Sequence, residues 1–543
     1  MKKNQLLRIL TITGLTALFI LTGCKQEPAI DVNGADSKRW AVQNPNPTQR
    51  VQNLDFIFNN QTLGKTTIVI KRSEWNKLCD NYRYFYKNEN CVHAESYTYE
   101  KGGKSWTMND VGFRLRGNTS RFCPQGIDNG REQEQPNVNW SIDYYNYAER
   151  PNNDYRQSHF KVDFEEFLSD DDEQKMADCM KGVALKRMDH SCGREIFCYD
   201  LFHKYGVWTA PRASHTRLVF NFIEDETDGS TKTIDYGVYE MFEEVNKQSL
   251  KARDTENSPY ENAWKNNKGN LWKCSGADLT NTWGMGVEDI RIIFEGETDS
   301  DDIEKNGRES GTRIGYVWKK YSMDLKTNKS NLSNASAEFS DFITELNALP
   351  NPKNNNDTDA INKIKDFYEK WFDVDLFMRT YAVNILLGMD DDYWGNANNY
   401  YLYFDTGSKG TGKVYFIPFD YDNTLGCSIF DGGFKHNPLD WGRGKNRPLL
   451  DKLLKVPEYK TKFTKLLLQV SAENSYWNYD DCSKQFLYWR NLVSPYLNSK
   501  DLEGHQAVKS WGDYTWRPGG YSLTNPQNNI FDATRESFQK YLK

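Results

Sequence analysis

The tightest restriction on the fold lies between Asn398 and Gly426, in NNYYLYFDTGSKGTGKVYFIPFDYDNTLG. Tyr400, Leu402 and Phe404 alternate with Tyr401, Tyr403 and Asp405, which is the period of a strand, and Val414 to Phe419 reads as a second strand closed by Pro418. The glycine-rich stretch Gly407 to Gly412 joins them, so the two strands form a β-hairpin that delivers Asp420 and Asp422 at its end. The connection also satisfies G-x-x-x-x-G-K through GSKGTGK. Val414 nevertheless stands where a phosphate-binding loop needs Ser or Thr for Mg²⁺, and a strand follows where that loop needs a helix. The glycines are therefore read as a turn.

Upstream, the apolar helical pattern DLFMRTYAVNILL runs into GMDDDYWGNAN, Gly388 to Asn398, which holds Asp390, Asp391 and Asp392 among several amides. A lone Asp-x-Asp is best read as a turn cap, here helped by Asn423 and Gly426. With an acidic loop, an Asn, a hairpin and a second Asp in that order, a site for metal and phosphate becomes the stronger reading. Phosphoryl transfer needs Asp and Asn oxygens for a metal, a cation for phosphate and an acid near the acceptor hydroxyl.

The N-terminus is a targeting segment: Lys2, Lys3 and Arg8 precede an apolar run from Ile9 to Leu21, and LTGC ends at Cys24. It resembles a bacterial lipoprotein signal, which implies cleavage after residue 23, lipidation of Cys24 and a lipid-anchored protein of the bacterial cell envelope. Residues 24–50 have the composition of a flexible tether. The net charge of −7 argues against a nucleic-acid partner. Nine further cysteines carry no zinc spacing. Export favours disulfides, with Cys79–Cys91 and Cys192–Cys198 suggested by proximity and at least one thiol left over.

The remainder, 51–543, divides into a strand-rich part, 51–331, and a mainly helical part, 332–543, that contains the hairpin. This is an α+β chain of two lobes. Strands are expected at Thr66–Ile70, Val111–Leu115, Phe160–Phe164, Leu218–Ile223, Tyr236–Phe242 and in GNLWKC; Val183 to Tyr205 begins ALKRMDHS and continues as an amphipathic helix. The acidic run ETDSDDIEK lacks the pattern of a calcium loop and reads as a solvated loop. Helices dominate from Ala337 to Leu387 and from Leu449 to Tyr496.

RLRGNTS, HFKVDF, ALKRMD, YGVYEMFEEVN, GNLWK, and above all NNYYLY followed by IPFDYDNTLG, resemble the CotH kinase family from about Val51 onward. The resemblance implies an atypical protein-kinase-like two-lobed fold, with ATP and Mg or Mn as cofactors and a protein Ser/Thr or other hydroxyl acceptor as partner. It implies Asp420 and Asn399 as metal ligands, Lys161 as the phosphate-neutralising strand lysine, Arg116 as a second candidate for that role, and Glu243 near the hinge that meets the nucleotide base. Glu195, on the helix after ALKRMD, is the expected partner of Lys161. Kinases place the catalytic Asp five residues before the metal Asn, where this chain has Trp394. Either the loop carries an insertion, making Asp392 the base with Asp391 next, or Asn396 or Asn398 is the ligand. The alternative of another class is an inactive lipoprotein that binds glycan or protein through its abundant aromatics.

Overall fold

The computed structural model describes residues 47–84, 90–117, 122–125, 155–169, 172–224, 227–258, 260, 262–287, 289–293, 315–319, 321–406, 409–427, 436–502, 508 and 520–543. Cys24, the signal segment, residues 118–120 of RLRGNTS and the acidic run ETDSDDIEK lie outside them. Among the described residues no helix is long and apolar enough to cross a membrane.

The first half is built on a barrel. Helix α1 (Gln49–Ile57), capped by the Thr48 hydroxyl, leads into β1 (Gly64–Lys71), α2 (Arg72–Tyr84), β2 (Val92–Lys101), β3 (Lys104–Leu115), β4 (Phe160–Asp163), β5 (Gly182–Arg187), α3 (Arg194–Lys204), β6 (Ala213–Ile223) and β7 (Thr231–Glu243). The strands close in the order β1-β2-β3-β4-β5-β7-β6, and the barrel is completed by parallel pairing of β1 with β6. Closure removes the exposed sheet edges that would otherwise invite association. Alternate residues fill the inside: Ile68 and Ile70, Val111 and Phe113, Phe160 and Val162, Val183 and Leu185, Phe220 and Tyr236. Trp75 of α2 packs on Phe220 and Phe222, with ring centroids 5.0 Å away in each case.

Alternation therefore turns Lys161 and Lys186 to the outside of the barrel. Strand β4 shows a clean buried-intermediate pattern, whereas β5 is buried on both faces up to Lys186, its Ala184 belonging to the apolar cluster that also holds Ile196 and Phe197 of α3. ALKR forms the end of this strand, and the helix that follows ALKRMD begins at Arg194 and carries Glu195.

Short elements follow: α4 (Lys247–Lys251), β8 (Asn270–Cys274), β9 (Met285–Gly286), β10 (Asp289–Ile293), β11 (Gly315–Lys319) and β12 (Met323–Leu325). The helical part contributes α5 (Leu332–Ala348), α6 (Thr358–Trp371), α7 (Val374–Leu386), α8 (Tyr393–Asn396), the hairpin β13 (Tyr400–Asp405) and β14 (Lys413–Pro418), then α9 (Pro448–Asp451), α10 (Pro457–Val470), α11 (Tyr479–Val493) and α12 (Ile530–Leu542). The Asp357 and Asp373 carboxylates cap α6 and α7.

The hairpin has the register that alternation gives, from Tyr400 opposite Pro418 to Asp405 opposite Lys413. Its turn needs glycine at Gly410, where a Cβ would come within 2.1 Å of the Asp405 carbonyl oxygen. The Gly412 N–H closes the turn onto that same oxygen at 2.9 Å. The hairpin is part of a five-stranded sheet, β14-β13-β8-β12-β9, so strands from before residue 332 complete it. Phe377 and Tyr381 of α7 pack on Phe416 from one side.

The two expected disulfides are not formed: neither Cys79 with Cys91 nor Cys192 with Cys198 is joined by an S–S bond. Cys198 instead contacts the Thr424 hydroxyl at 3.2 Å, which ties α3 to the segment after the hairpin.

Candidate active site

Strand β5, helix α3 and the end of β14 meet at three charged side chains. Lys186 Nζ lies 2.7 Å from Glu195 Oε2 and donates a further hydrogen bond to Asp420 Oδ1. Glu195 sits in the first turn of α3, where a carboxylate suits the helix dipole. Its other oxygen accepts the Tyr421 N–H at 3.0 Å and the Tyr199 hydroxyl at 3.2 Å. Tyr199 Oη in turn accepts the Asp420 N–H at 3.0 Å. Asp420 has a left-handed backbone, φ 62°, unusual outside glycine, and this single residue turns the chain from the strand into the turn at Tyr421–Asn423.

Burial by itself would raise the Asp420 carboxyl; Lys186, with Arg116 and Lys273 adding to it, outweighs burial and holds it below its ordinary value. Arg116 follows β3 and is anchored by its N–H to the His159 carbonyl at 2.9 Å. Lys273 comes from β8, opposite Tyr401 in the sheet, with its ammonium 5.4 Å from the ring of Phe419, the residue before Asp420. Cations from three separate elements thus act on one aspartate.

The acids are more numerous. Asp422 lies at the rim, and desolvation in the cleft, followed by the charges of Asp420 and Glu195, pushes its carboxyl up to about 8. Asp391 is gripped by three amides: Asn396 Nδ2 at 2.7 Å and Asn398 Nδ2 at 3.4 Å on one oxygen, and Asn399 Nδ2 at 3.0 Å on the other. Its carboxyl is raised, chiefly by burial and also by the Asp420 charge.

Asp392 has another environment. It is 3% exposed, accepts the Gly395 N–H at 2.6 Å as the cap of α8, and takes Asn384 Nδ2 at 2.6 Å on its second oxygen. Burial pushes this carboxyl up to about 7, and both of its oxygens hold the loop together.

Three further placements depart from the sequence reading. The expected pair of Lys161 with Glu195 is corrected: Lys161 Nζ lies 3.2 Å from Glu244, and Glu195 takes Lys186. Glu243 is wholly buried, with Arg253 bonded to both oxygens at 2.7 Å and the Arg212 N–H on one at 3.0 Å, so it braces the end of β7 and leaves no oxygen for a nucleotide. Lys186 and Lys273 lie within ALKRMD and GNLWK, where the sequence reading assigns them no role. The signal was a lysine embedded in an apolar strand, since a buried ammonium requires carboxylate partners.

Asp420, Asp422, Asn399 and Asp391 offer hard oxygen donors, and the negative charge of Asp420, which after desolvation is the main influence raising the Asp422 carboxyl, is what a divalent cation would offset. Among the described residues no three His, Cys, Asp or Glu form a metal cage by themselves. That donor set fits Mg²⁺, which is ordinarily held by one or two carboxylates, water and substrate phosphate.

A family model described as CotH kinase protein matches residues 139–502. The chain belongs to the CotH kinase family. The match takes in Lys161, Lys186, Glu195, Lys273, Asp391, Asn399 and Asp420, whereas Arg116 on the earlier part of the barrel precedes it. Comparison with curated proteins and with solved structures gave no match.

Proposed function

We propose that this CotH-family protein transfers a phosphoryl group from ATP to a hydroxyl, in the first instance a protein Ser or Thr, on a kinase-like fold whose two lobes are the barrel side and the helical side. The observation that carries the reading is the Lys186–Glu195 ion pair set against Asp420, because a strand lysine held by a helix glutamate beside a metal-binding aspartate is the arrangement phosphoryl transfer requires. Asp420 and Asn399 are the residues to hold a divalent ion, which when bound neutralises charge on the phosphate oxygens. Lys186 then contacts phosphate, with Glu195 fixing its position, and Arg116 and Lys273 add positive charge around the donor. Asp391 accepts the proton of the acceptor hydroxyl: burial makes its carboxylate more basic, and its three amide partners fix its direction. Asp392 supports Asp391 by holding the turn.

The N-terminal segment fits export and anchoring through Cys24, which would place this activity at the cell envelope. The test is incubation of purified protein with γ-labelled ATP and Mg²⁺ or Mn²⁺, wild type beside Asp420→Ala. Label on the protein itself or on an added acceptor, lost in the variant, is expected. Equal, negligible label in both, with no nucleotide-induced thermal shift, sinks the reading.

A further inference from the structure

Residues 441–447, WGRGKNR, carry three cations and no acid in a chain whose net charge is −7. They lie along the loop that holds Asp391. Trp441 Nε1 donates to the Met389 carbonyl at 2.8 Å and Arg443 Nη2 to Asp390 Oδ2 at 3.2 Å, while Arg447 Nε reaches the Tyr393 carbonyl at 2.9 Å and Lys445 Nζ the Gly395 carbonyl at 2.6 Å. The contacts therefore fall on residues just before Asp391 and just after it. Carbonyls bear no net charge, so these bonds leave the positive charge of Lys445 and Arg447 in place; the carboxylate that Arg443 meets, Asp390, is wholly buried. Toward solvent the balance is positive, with Lys445 exposed and the Arg443 side chain 26% exposed. The Lys445 ammonium is held below its ordinary value by desolvation first and then by the charges of Arg447 and Arg443, which the acids Asp390 and Asp392 oppose. Like charges gathered at a surface repel one another, and a partner of opposite sign relieves that repulsion.

We propose that this basic edge selects the acceptor, so that the hydroxyl presented to Asp391 belongs to a polypeptide segment whose flanking residues are Asp or Glu. The inference rests on the phosphoryl-transfer reading for the role of Asp391 and adds to it the class of acceptor. Surface charges act over a screening length of about 8–10 Å, and an extended segment advances about 3.3 Å per residue, so side chains two or three positions from the acceptor hydroxyl fall within their range. A segment rich in Lys or Arg is repelled by the same edge.

Fluorescence anisotropy of labelled peptides, each with one Ser flanked on both sides by three Glu, three Gln or three Arg, measures binding to the whole chain without nucleotide. The surface is thereby tested whether or not phosphate is transferred. The Glu peptide should bind the wild type roughly tenfold more tightly than the Gln peptide, with the Arg peptide weakest. Lys445→Gln, which keeps a donor for the Gly395 carbonyl, should weaken the Glu peptide about threefold, and Lys445→Glu roughly tenfold. Lys540→Glu on α12, with the same change of net charge, should leave its affinity unaltered. In about 1 M salt, where the screening length falls to about 3 Å, the preference should vanish. With labelled ATP and Mn²⁺ added, the Glu peptide should be the acceptor of lowest KM. Equal binding of the three peptides, tighter binding of the Arg peptide, or undiminished binding of the Glu peptide to Lys445→Glu overturns the inference. Glu-selective binding with no label transferred to any peptide upholds the surface and counts against phosphoryl transfer instead.

Discussion

Lys186→Met is the perturbation with the most to reveal, because it removes a buried cation bonded to both Glu195 and Asp420. The Lys186 side chain is 9% exposed, Glu195 3% and Asp420 33%, so two charges lose their partner in a poorly solvated site. Breaking a buried ion pair from one side costs about 3–5 kcal/mol, and the partial exposure of Asp420 favours the lower end. An unfolding entropy of about 2 cal/mol/K per residue, over 543 residues, is about 1 kcal/mol/K, so Tm should fall by about 3 °C for unfolding as one unit. Lys161→Met is the matched control: its single pair with Glu244 is between side chains 26% and 19% exposed and is worth about 1 kcal/mol or less. The sign with pH follows from the same charges. In the wild type Asp420 is held below its ordinary value, so its contribution is complete above about pH 4 and is lost as pH falls through the folded value. In Lys186→Met burial is opposed by the weaker charges of Arg116 and Lys273 without the lysine, so the Asp420 carboxyl rises relative to the wild type, and the deficit is greatest near neutrality and shrinks toward pH 4 as the carboxyls take up protons. Differential scanning fluorimetry of both variants between pH 4 and 8 is the assay. Equal shifts for the two variants, or a Lys186→Met deficit that does not change with pH, would refute the assignment of Lys186 as the buried counter-charge.

Asp391→Asn should lower kcat by about 10²–10⁴ in the labelled-ATP assay while leaving Tm within a degree or so. Asp392→Ala should instead lose roughly 1–2 kcal/mol of stability in urea titration, through loss of the α8 cap and the Asn384 bond. His215, whose ring shares a 2.8 Å hydrogen bond with the Cys192 carbonyl, is pushed down to about 4 by burial. Kept neutral in the fold, it makes stability fall as pH drops from about 6.5 toward 4, by up to about 1.4 kcal/mol per pH unit, and His215→Gln should flatten that part of the pH profile. Gly410→Ala should lower Tm measurably because the added methyl would meet the Asp405 carbonyl at 2.1 Å; an unchanged Tm would show that the hairpin turn rearranges freely.

Parts of this architecture were legible in the sequence because they depend on neighbours along the chain. Alternation at Tyr400–Asp405 and Lys413–Pro418 fixes both strands and their register, and Gly410 and Gly412 between them lie in a turn, as the local composition implies. The carboxylate at Asp420 follows directly. Lys186 was not legible, since the short apolar run of β5 passes into a turn and then an apolar helix, and periodicity over so few residues does not separate strand from helix. Nor does spacing choose among Asp390, Asp391 and Asp392. The choice is made by which carboxylate caps α8 and which meets the amides of Asn396, Asn398 and Asn399, a matter of three-dimensional turn geometry. The pairing of β8 with β13, well over a hundred residues apart, and the free state of Cys192 and Cys198 likewise depend on tertiary packing.

The central claim is that Lys186, Glu195 and Asp420 make a metal-dependent nucleotide site. Calorimetric titration of ATP in the presence of Mn²⁺ into wild type, Lys186→Met and Asp420→Ala tests it most directly. Saturable binding to the wild type that disappears without Mn²⁺ and is lost in both variants is the predicted result. Binding that survives both substitutions, or no binding to the wild type with the metal present, would contradict it.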